Sequence, residues 1–468
     1  EDTWIHTVCG GCQGFCGIMV HRVDGVVTEI KGDPDCPNSN GKLCSKGIAN
    51  IMNLYDPYRV MYPLKRTNPE KRLGVDPGWK RISWEEALDI LVDKLTKVRK
   101  EDPRKLVIST FDTHAIAHEL NAFCLGFGTP NQLVVYFCGQ YLHCAMYLIN
   151  STFHCEFDID YCNHLLLFGC QQGFGAGINP NISIRKVAEA RKRGMKVVAI
   201  DPVCNHAASK ADEWVPIRPG TDCALALSML HILLNELGIY DREFIKKHTN
   251  GPYLVKRDGF YMKEKGKALV WDAAERKAKP YDADVKDYAL EGSYQVDGVE
   301  CKPAFQVLKE HLTKYTPERV AEITTIPPAT IRHLAEDFGK AARIGSTIII
   351  DGVEVPYRPV AATIYRGAGA HKHGIASALS IMMLNLVVGA IYVPGGHRGL
   401  NAVGPDWSWQ PDEVEGLGLI LPAKIWETIS KIDVPYDYYH HDVKPPVTMA
   451  LHEIYPVAGE FSANLVLT

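Results

Sequence analysis

Apolar and polar positions along this chain follow two periods, one typical of strands and one typical of helices. Residues 4–32 alternate apolar and polar side chains around a cysteine-rich loop, which predicts a small antiparallel sheet. The sequence Ser83-Trp84-Glu85-Glu86 has the form of a helix N-terminal capping box, and apolar residues at helical spacing follow it. We therefore predict an amphipathic helix to about Lys100, then a short buried strand at 105–110 and a helix at about 114–125.

The middle of the chain has the pattern of a β-α-β unit. The apolar run 165–168 predicts a buried strand that ends at Gly169, and the glycine-rich loop 173–180 follows it. A helix over 182–193 and a second buried strand over 196–200 complete the unit. Strands that alternate with helices in this way predict an α/β fold with a parallel sheet.

Further elements are predicted downstream, where a second glycine-rich loop occupies 365–374. They are helices at 304–315 and 328–341, a buried strand at 346–350 and a long buried helix at 375–390. Residues 250–303 are polar, lysine-rich and poorly periodic, which predicts a surface insertion with a solvated face.

Composition limits the classes of function without selecting one. The 468 residues should form two to four packed units, and 46% hydrophobic content is that of an ordinary globular protein. A net charge of −4 gives no reason to expect a nucleic-acid partner. The longest apolar stretch, 375–393, is interrupted by Ser377, Ser380 and Asn385, so we predict a buried helix and no membrane span.

Four of the fourteen cysteines carry the strongest chemical signal. Cys9, Cys12, Cys16 and Cys44 are spaced C-x2-C-x3-C-x27-C, and the first three share one glycine-rich loop. Such spacing suits the four thiolates of a [4Fe–4S] cluster better than the paired C-x2–4-C knuckles of a structural zinc site. From spacing alone, Cys36 is an alternative for the distant ligand.

The other cysteines show no disulfide-like spacing, which favours a reducing compartment or an anaerobic life. We therefore predict a cytoplasmic location. The sequence begins at Glu1 rather than at a methionine, so a removed leader peptide and a periplasmic location stay open as the alternative.

The β-α-β unit has the chemistry of a nucleotide site. Glycines of the first loop would let phosphates approach the backbone, and Asp201 at the end of the second strand could bind a ribose diol. The spacing of Gly173, Gly175 and Gly177 departs from G-x-G-x-x-G, so a plain strand–helix crossover is an equal alternative. Asp222 follows Gly220 in a second possible ligand loop, where it could also merely cap a helix.

Several further motifs follow in order along the chain: the cysteine set with 43–47, the segments 59–64 and 79–87, Gly128-Thr129-Pro130-Asn131, Ile200-Asp201-Pro202, 211–214 with 219–222, and Pro394-Gly395-Gly396. In this order they resemble the molybdenum/tungsten–bis(pyranopterin guanine dinucleotide) enzymes, the DMSO-reductase family. The resemblance implies an α/β fold with Rossmann-like domains and a small iron–sulfur subdomain. It implies three cofactors: a [4Fe–4S] cluster, bis-molybdopterin guanine dinucleotide (bis-MGD) and Mo or W.

The resemblance also implies a domain organisation. We expect a [4Fe–4S] subdomain over 1–60, a discontinuous α/β domain from 61–137 and 345–468, and a Rossmann-like dinucleotide-binding domain over 138–344 that contains the insertion at about 250–303. The family's C-terminal pterin-binding barrel module has no counterpart in the sequence before Thr468. Either the chain is cut or a second polypeptide supplies that module, so we expect one subunit of a complex.

Residue roles follow from the resemblance. It selects Cys44 over Cys36 as the fourth cluster ligand and places Lys46 between the cluster and the nearer pterin. Cys138 is the expected thiolate ligand of Mo or W; Cys144 is the alternative, and without the family Cys138 would be a buried core cysteine. His371 and His373 would line the metal pocket or lie in a supporting or surface position.

The same resemblance assigns the dinucleotide contacts. Asp201 and Asp222 would bind ribose and guanine, while Gly177, Asn179 and the following helix N-terminus would cradle the diphosphate. The remaining predicted cofactor-binding positions are Gly169, Pro202, Gly220, Gly369 and Gly374.

The nearest likeness is to acetylene hydratase-like and catechol dehydroxylase-like members. Acetylene hydratase has an aspartate where this chain has Gln13, and an amide cannot shuttle a proton. Formate dehydrogenases have a histidine where this chain has Gly139. We therefore expect a redox enzyme that passes electrons between a small, aromatic or hydroxylated substrate and a ferredoxin-like partner. The alternatives are a non-redox tungsten hydratase and a metal-free electron-transfer or scaffold subunit.

Overall fold

The computed structural model describes residues 1–400 except for positions 13, 38, 111–119, 121–122, 125, 130, 135–139, 151–153 and 176–179. The chain divides into two compact units with the boundary between Phe137 and Cys138. Each unit has its own sheets and is described separately below.

The first unit opens with the antiparallel sheet that alternation predicted. Its strands β1 (Asp2–Val8), β2 (Gly17–Val23) and β3 (Val26–Gly32) pair in the order β1-β2-β3. Asp24 and Gly25 join β2 to β3 with φ of +47° and +83°, the left-handed backbone that a tight hairpin turn requires. Helix α1 (Ser45–Leu54) follows, so both ends of the cysteine motif border regular elements.

The rest of the first unit contains the predicted capped helix. The Ser83 Oγ atom accepts a hydrogen bond from the Glu86 N–H at 3.0 Å, which confirms the capping interaction. Its regular elements are β4 (Leu64–Arg66), β5 (Trp79–Arg81), α2 (Trp84–Glu101), a 3-10 turn (Pro103–Lys105), β6 (Ile108–Thr110) and β7 (Gln132–Val134). The predicted helix at 114–125 lies mostly outside the described residues.

A four-stranded parallel sheet organises the second unit. Its strands are β9 (His164–Phe168), β10 (Lys196–Ile200), β11 (Glu213–Val215) and β20 (Val360–Ile364). They lie in the order β11-β10-β9-β20. The chain thus moves outward from β9 in one direction and later returns to the other side of β9. Ligands of open α/β sheets bind at such a reversal, beyond the carboxyl ends of the strands.

Helices cover both faces of this sheet. Leu165 and Leu167 of β9 pack with the α4 residue Val187 on one face, whereas Leu166 and Phe168 pack in the larger core on the other. Both faces of β9 are therefore buried, as a continuous apolar strand requires. The helices are α3 (Gln140–Asn150), α4 (Pro180–Lys192), α5 (Asp222–His231) with a π-helical turn (Ile232–Leu237), α6 (Arg242–His248), α7 (Ala304–Leu312), α8 (Pro317–Thr324), α9 (Pro328–Ala341) and α10 (Gly374–Val387).

The segment 250–303 is more ordered than its polar sequence predicted. It forms two three-stranded antiparallel sheets around a small core of Leu254, Leu269, Val296 and Cys301. The strands are β12 (Leu254–Lys256), β13 (Lys263–Glu264), β14 (Lys267–Asp272), β15 (Lys277–Pro280), β16 (Tyr294–Val296) and β17 (Val299–Pro303). Strands of two to six residues are too short for alternation to be recognised in the sequence.

The strand predicted at 346–350 is present, but the prediction that it is buried is wrong. β18 (Thr347–Ile350) pairs with β19 (Val353–Pro356) in a partly exposed hairpin, and β20 is the strand that joins the parallel sheet. A separate pair consists of β8 (His154–Phe157) and β21 (His397–Leu400). Residues 345–400, which we expected to fold with 61–137, lie in the second unit.

Among the described residues, no single helix combines the length and apolar character needed to cross a membrane. The segments Asp222–Leu237 and Arg242–His248 meet the requirement only as a pair, and the chain bends by 116° between them.

Candidate functional site

Two glycine-rich loops meet at the carboxyl ends of β9 and β20. The Gly367 N–H donates to the Gly169 carbonyl at 3.0 Å, and the Gly169 N–H donates to the Ile200 carbonyl at 2.9 Å. Gly169 has φ +53°, and a Cβ atom at this position would lie 2.4 Å from the Ala368 nitrogen. Only glycine permits this backbone-to-backbone approach, so the residue type at 169 fixes the geometry of the sheet reversal.

The loop after Gly169 is held by its own packing. Gly173 has φ +80°, and a Cβ atom there would overlap Val187 of α4 at 2.4 Å. Gln172, between Gly169 and Gly173 in the sequence, makes two side-chain hydrogen bonds: its amide donates to the Glu156 carboxylate, and its Oε1 atom accepts from the Thr363 hydroxyl at 3.0 Å. The loop is thus anchored to β8, α4 and β20. The predicted diphosphate contacts Gly177 and Asn179 lie outside the described residues.

Asp201 directly follows β10, as the sequence predicted, and its carboxylate is engaged by the next loop. It accepts hydrogen bonds from the Val203 N–H at 3.0 Å and from the Asn205 Nδ2 atom at 2.8 Å. The Trp214 indole N–H donates to the Asp201 carbonyl at 2.8 Å. Asp201 therefore holds the loop in shape, and its role toward a ribose stays a prediction; exposed Pro202 follows it.

Asp222 lies in the first turn of α5 and is only 4% exposed. The N-cap residue of this helix is Thr221, so the simple capping role considered for Asp222 is not observed. Burial raises the pKa of Asp222 to about 6, and the negative charge of Asp201 acts in the same direction. Gly220, two residues before Asp222, has φ +77°, and no atom lies within 4 Å of an added Cβ at this position.

The second glycine-rich loop leads from β20 into α10. Its turn is closed by the Gly369 N–H, which donates to the Arg366 carbonyl at 3.2 Å. His371 Nδ1 accepts from the His373 N–H, and His371 Nε2 bonds the Ala368 carbonyl, both at 3.2 Å. His371 is therefore held by the loop itself, whereas His373 is an exposed N-cap residue before buried Gly374.

In the first unit, the β1–β2 loop and the start of α1 present the four predicted cluster cysteines. Cys9 directly follows β1, Cys16 directly precedes β2, and the Cys9 N–H donates to the Cys16 carbonyl at 2.9 Å. Cys44 is the N-cap residue of α1. Cys9 and Cys16 are buried and Cys12 and Cys44 are partly exposed, and all four are free thiols.

Hydrogen bonds to sulfur fit the predicted cluster. The Gly14 N–H donates to Cys12 Sγ at 3.4 Å, and the Asn50 amide donates to Cys9 Sγ at 3.5 Å. N–H groups directed at sulfur are the usual surroundings of cluster thiolates. Among the described residues, no three His, Cys, Asp or Glu side chains are grouped to hold a single metal ion. Lys46 is exposed in the first turn of α1.

Other predicted site residues are placed differently or lie outside the described chain. The Cys36 side chain packs against Gly17, where an added Cβ atom would lie 2.4 Å from Cys36 Cβ. Cys138 and Gln13 are outside the described residues; Cys144 belongs to α3, but its side chain is not described. Sequence reasoning missed the contact of the first loop with Gly367; the short apolar run 360–364 before Arg366-Gly367 was the available signal.

Comparisons with known proteins agree with this arrangement. The "Molybdopterin oxidoreductase Fe4S4 domain" matches residues 2–56, and the "Molybdopterin oxidoreductase" family matches residues 59–444. These ranges contain the cysteine loop and both glycine-rich loops respectively.

Individual relatives share the same region. A sulfite dehydrogenase subunit from Allochromatium vinosum is 33% identical, covering 84% of this chain and 43% of its own length. The molybdopterin-containing subunit of arsenate respiratory reductase from a Shewanella species is 27% identical, covering 84% and 41%. Acetylene hydratase from Pelobacter acetylenicus has a TM-score of 0.58 at 24% identity, over 84% of this chain and 44% of that one, and supports the fold alone. The chain spans less than half the length of these relatives.

Proposed function

Because the chain belongs to the molybdopterin oxidoreductase family, we propose that it forms the metal-binding part of a Mo- or W-dependent oxidoreductase whose electrons pass through a [4Fe–4S] cluster. The family accounts for the two cofactor types, since its Fe4S4 and molybdopterin domains both match. The observation that carries the dinucleotide assignment is the glycine-lined sheet reversal with buried Asp222 beside it.

The residues at the carboxyl edge fit a guanine dinucleotide. Glycines with positive φ leave the backbone open to phosphate oxygens at 175 and 220, where no atom lies within 4 Å of an added Cβ. Asp222 offers a buried carboxylate, which is suited to the N–H donors of a guanine edge. When bound, the metal–pterin cofactor supplies the exchange of electrons and an oxygen or hydride equivalent with substrate.

Residues of this chain are proposed to bind the iron–sulfur cluster and the metal. Cys9, Cys12, Cys16 and Cys44 would hold the cluster, and Cys138 is the proposed thiolate ligand of the metal. Lys46 adds a positive charge two residues after Cys44, which favours a reduced, more negative cluster. His371 is held by two hydrogen bonds within its own loop, and both His371 and His373 are proposed to line the metal pocket.

We further propose that the chain works as one part of a heteromeric enzyme. The sulfite dehydrogenase and arsenate reductase relatives are both named as subunits, which supports a partner subunit, and the electron-transfer partner that we propose is of the ferredoxin type. They also support sulfur and arsenic oxyanions as substrate candidates beside the aromatic or hydroxylated class.

Metal and pterin analysis of the purified native complex tests the proposal. We expect about one Mo or W atom, extractable pterin and about four iron atoms per chain. Sulfite and arsenite, which would donate electrons, are then added separately to the oxidised enzyme, and a catechol, which would accept electrons on dehydroxylation, is added to the reduced enzyme; the cluster is followed by electron paramagnetic resonance. Reduction of the cluster by sulfite or arsenite, or its oxidation by the catechol, supports the redox assignment and identifies the substrate class.

Two results would contradict the proposal, each in a different way. Iron without Mo, W or pterin would leave a metal-free electron-transfer or scaffold subunit. Turnover of a substrate with no change in the cluster oxidation state would instead support a hydratase. Since Lys46 favours the reduced cluster, Lys46→Met should lower its midpoint potential, whereas the control Lys94→Met, at an exposed position of α2, should not.

A further inference from the structure

The side chain of Asn50, in the middle of α1, contacts one of the four proposed cluster ligands. Its Nδ2 atom donates to Cys9 Sγ at 3.5 Å, although the two residues are 41 positions apart in the sequence. Cys9 is only 7% exposed, so the sulfur that receives this hydrogen bond is largely shielded from water. Asn50 is therefore a polar neighbour of the cluster site that the cysteine spacing did not reveal.

Two observations fix which end of the Asn50 amide faces the sulfur. Asn53, nearly one turn later in α1, donates to Asn50 Oδ1 at 3.4 Å, so the amide oxygen is engaged by a different residue. A thiolate that binds a metal cluster carries no proton and can only accept hydrogen bonds, so it selects the Nδ2 end. Asn50 is thus held as a hydrogen-bond donor toward Cys9.

Helix α1 is attached to the small sheet near both of its ends, which sets the position of Asn50 between them. Near the start of the helix, an added Cβ atom at Gly47 would overlap the side chain of Leu43, which packs in the core of the cysteine loop. Just after the helix, the Tyr55 hydroxyl accepts a hydrogen bond from the Val27 N–H of β3 at 2.6 Å. Regular structure, rather than a loop, therefore presents the amide to the sulfur.

A hydrogen bond to a ligating sulfur affects the reduction potential of an iron–sulfur cluster. Reduction adds a negative charge to the cluster and its thiolates, and an N–H donor stabilises the more negative state. Because Cys9 is buried, little water competes with the Asn50 amide, and the hydrogen bond acts in a medium of low dielectric constant. The Gly14 N–H bonds Cys12 in a similar way, but it belongs to the backbone, whereas a side-chain donor can be removed by substitution.

We propose that Asn50 is a positioning residue that raises the reduction potential of the [4Fe–4S] cluster by donating a hydrogen bond to the Cys9 thiolate. This role rests on the proposed function, since it requires the cluster. It differs from the role of Lys46, because the amide is neutral and acts only through direct contact with the sulfur. By favouring the reduced cluster, Asn50 favours electron flow from the substrate toward the cluster.

Redox titration of the purified holoenzyme, followed by electron paramagnetic resonance of the reduced cluster, measures this effect. Asn50→Leu keeps a side chain of similar size without the N–H group, and it should lower the reduction equilibrium constant about tenfold, a shift of about 59 mV for one electron. Asn50→Gln keeps an amide donor, so its potential should lie closer to that of the wild type. The control Asn68→Leu removes an amide of the first unit that donates to the Asp76 carbonyl, and it should leave the potential unchanged.

Ionic strength separates the hydrogen bond from the charge of Lys46. The shift caused by Asn50→Leu should be the same at low and high salt, because a neutral contact is not screened. The shift caused by Lys46→Met should shrink at high salt, since Lys46 is exposed. An Asn50→Leu shift that disappears at high salt would overturn the assignment of a direct hydrogen bond.

Iron content, measured for every variant, distinguishes failure of this role from failure of the proposed function. A wild-type protein without a [4Fe–4S] signal would contradict the proposed function itself. A wild-type potential in Asn50→Leu with about four iron atoms per chain would overturn only the role of Asn50. Equal potentials in the leucine and glutamine variants, or an equal shift in Asn68→Leu, would also overturn it, because the N–H group would not be the cause. Asn50→Ala, which also lacks the N–H group, serves if the leucine variant does not assemble the cluster.

Discussion

Replacing Gly169 by alanine tests whether backbone contact at the sheet reversal builds the dinucleotide site. The added Cβ would lie 2.4 Å from the Ala368 nitrogen and 2.9 Å from the Gly367 carbonyl carbon, well inside van der Waals contact. Both neighbours are backbone atoms and cannot rotate away. The two glycine-rich loops must therefore separate, or β9 and β20 must lose their register.

The magnitude has two parts. A left-handed backbone costs an L-residue about 1–2 kcal/mol, and Gly169 has φ +53°. Overpacking against a fixed neighbour adds about 1–3 kcal/mol. Gly238→Ala is the matched control, because Gly238 has φ +65° with no atom within 4 Å of an added Cβ. In the control, only the left-handed backbone conformation destabilises the fold. The two variants should therefore differ by about 1–3 kcal/mol in the free energy of unfolding.

Urea unfolding measures this difference, and pterin content per chain measures its effect on the site. We expect Gly169→Ala to lose most of its pterin while Gly238→Ala retains it. If both variants kept the cofactor and unfolded at the same urea concentration, the close approach of the two loops would not be what forms the site.

Three other changes test the charges and the metal ligand. Burial raises the pKa of Asp222 from 3.8 to about 6, so between these two pH values the folded chain holds a proton that the unfolded chain releases. The free energy of unfolding of the cofactor-free protein should therefore fall by about 3 kcal/mol between about pH 4 and pH 7. Urea unfolding of Asp222→Asn should show no such fall. Burial alone would raise the pKa of Asp272, but hydrogen bonds from Lys279 and the Lys286 N–H hold it below its usual value. The stability that the ionised Asp272 contributes is present above about pH 4 and is lost on further acidification. Asp272→Asn should therefore be less stable than the wild type at pH 7, and its unfolding, followed by circular dichroism, should depend less on pH below pH 4. Cys138→Ser should abolish turnover with the iron content unchanged; full activity would contradict the ligand assignment.

Local patterns accounted for the central β-α-β unit. The apolar runs of β9 and β10 and the glycines between them lie within about forty residues, so periodicity was sufficient to predict them. The cysteine loop was equally local, and the family matches confirm the predicted iron–sulfur and molybdopterin domains together with their cofactor types. The short N-cap interaction at Ser83 was also encoded by neighbours in sequence.

The partner of β9 could not be predicted in the same way. β18 and β20 are both short apolar runs, and only the second pairs with β9, almost two hundred residues earlier in the chain. The run 347–350 is richer in β-branched residues than 360–364, which contains Ala361 and Ala362, so strand propensity favoured the wrong segment. Small residues suit a strand that is buried on both faces, and that is a property of the tertiary packing.

Charge at three helix N-termini limits how a dinucleotide can lie across the carboxyl edge of the sheet. α4 and α10 have no acidic residue in the first turn, so the partial positive charge of each N-terminus can attract phosphate oxygens. α5 carries Asp222 in its first turn, with Asp201 close enough to raise its pKa further. A phosphate beside these two carboxylates would be repelled, whereas the donor groups of guanine and ribose would be favoured. The diphosphate should therefore lie toward α4 or α10 and the guanosine toward α5, which orients the pterin end away from α5.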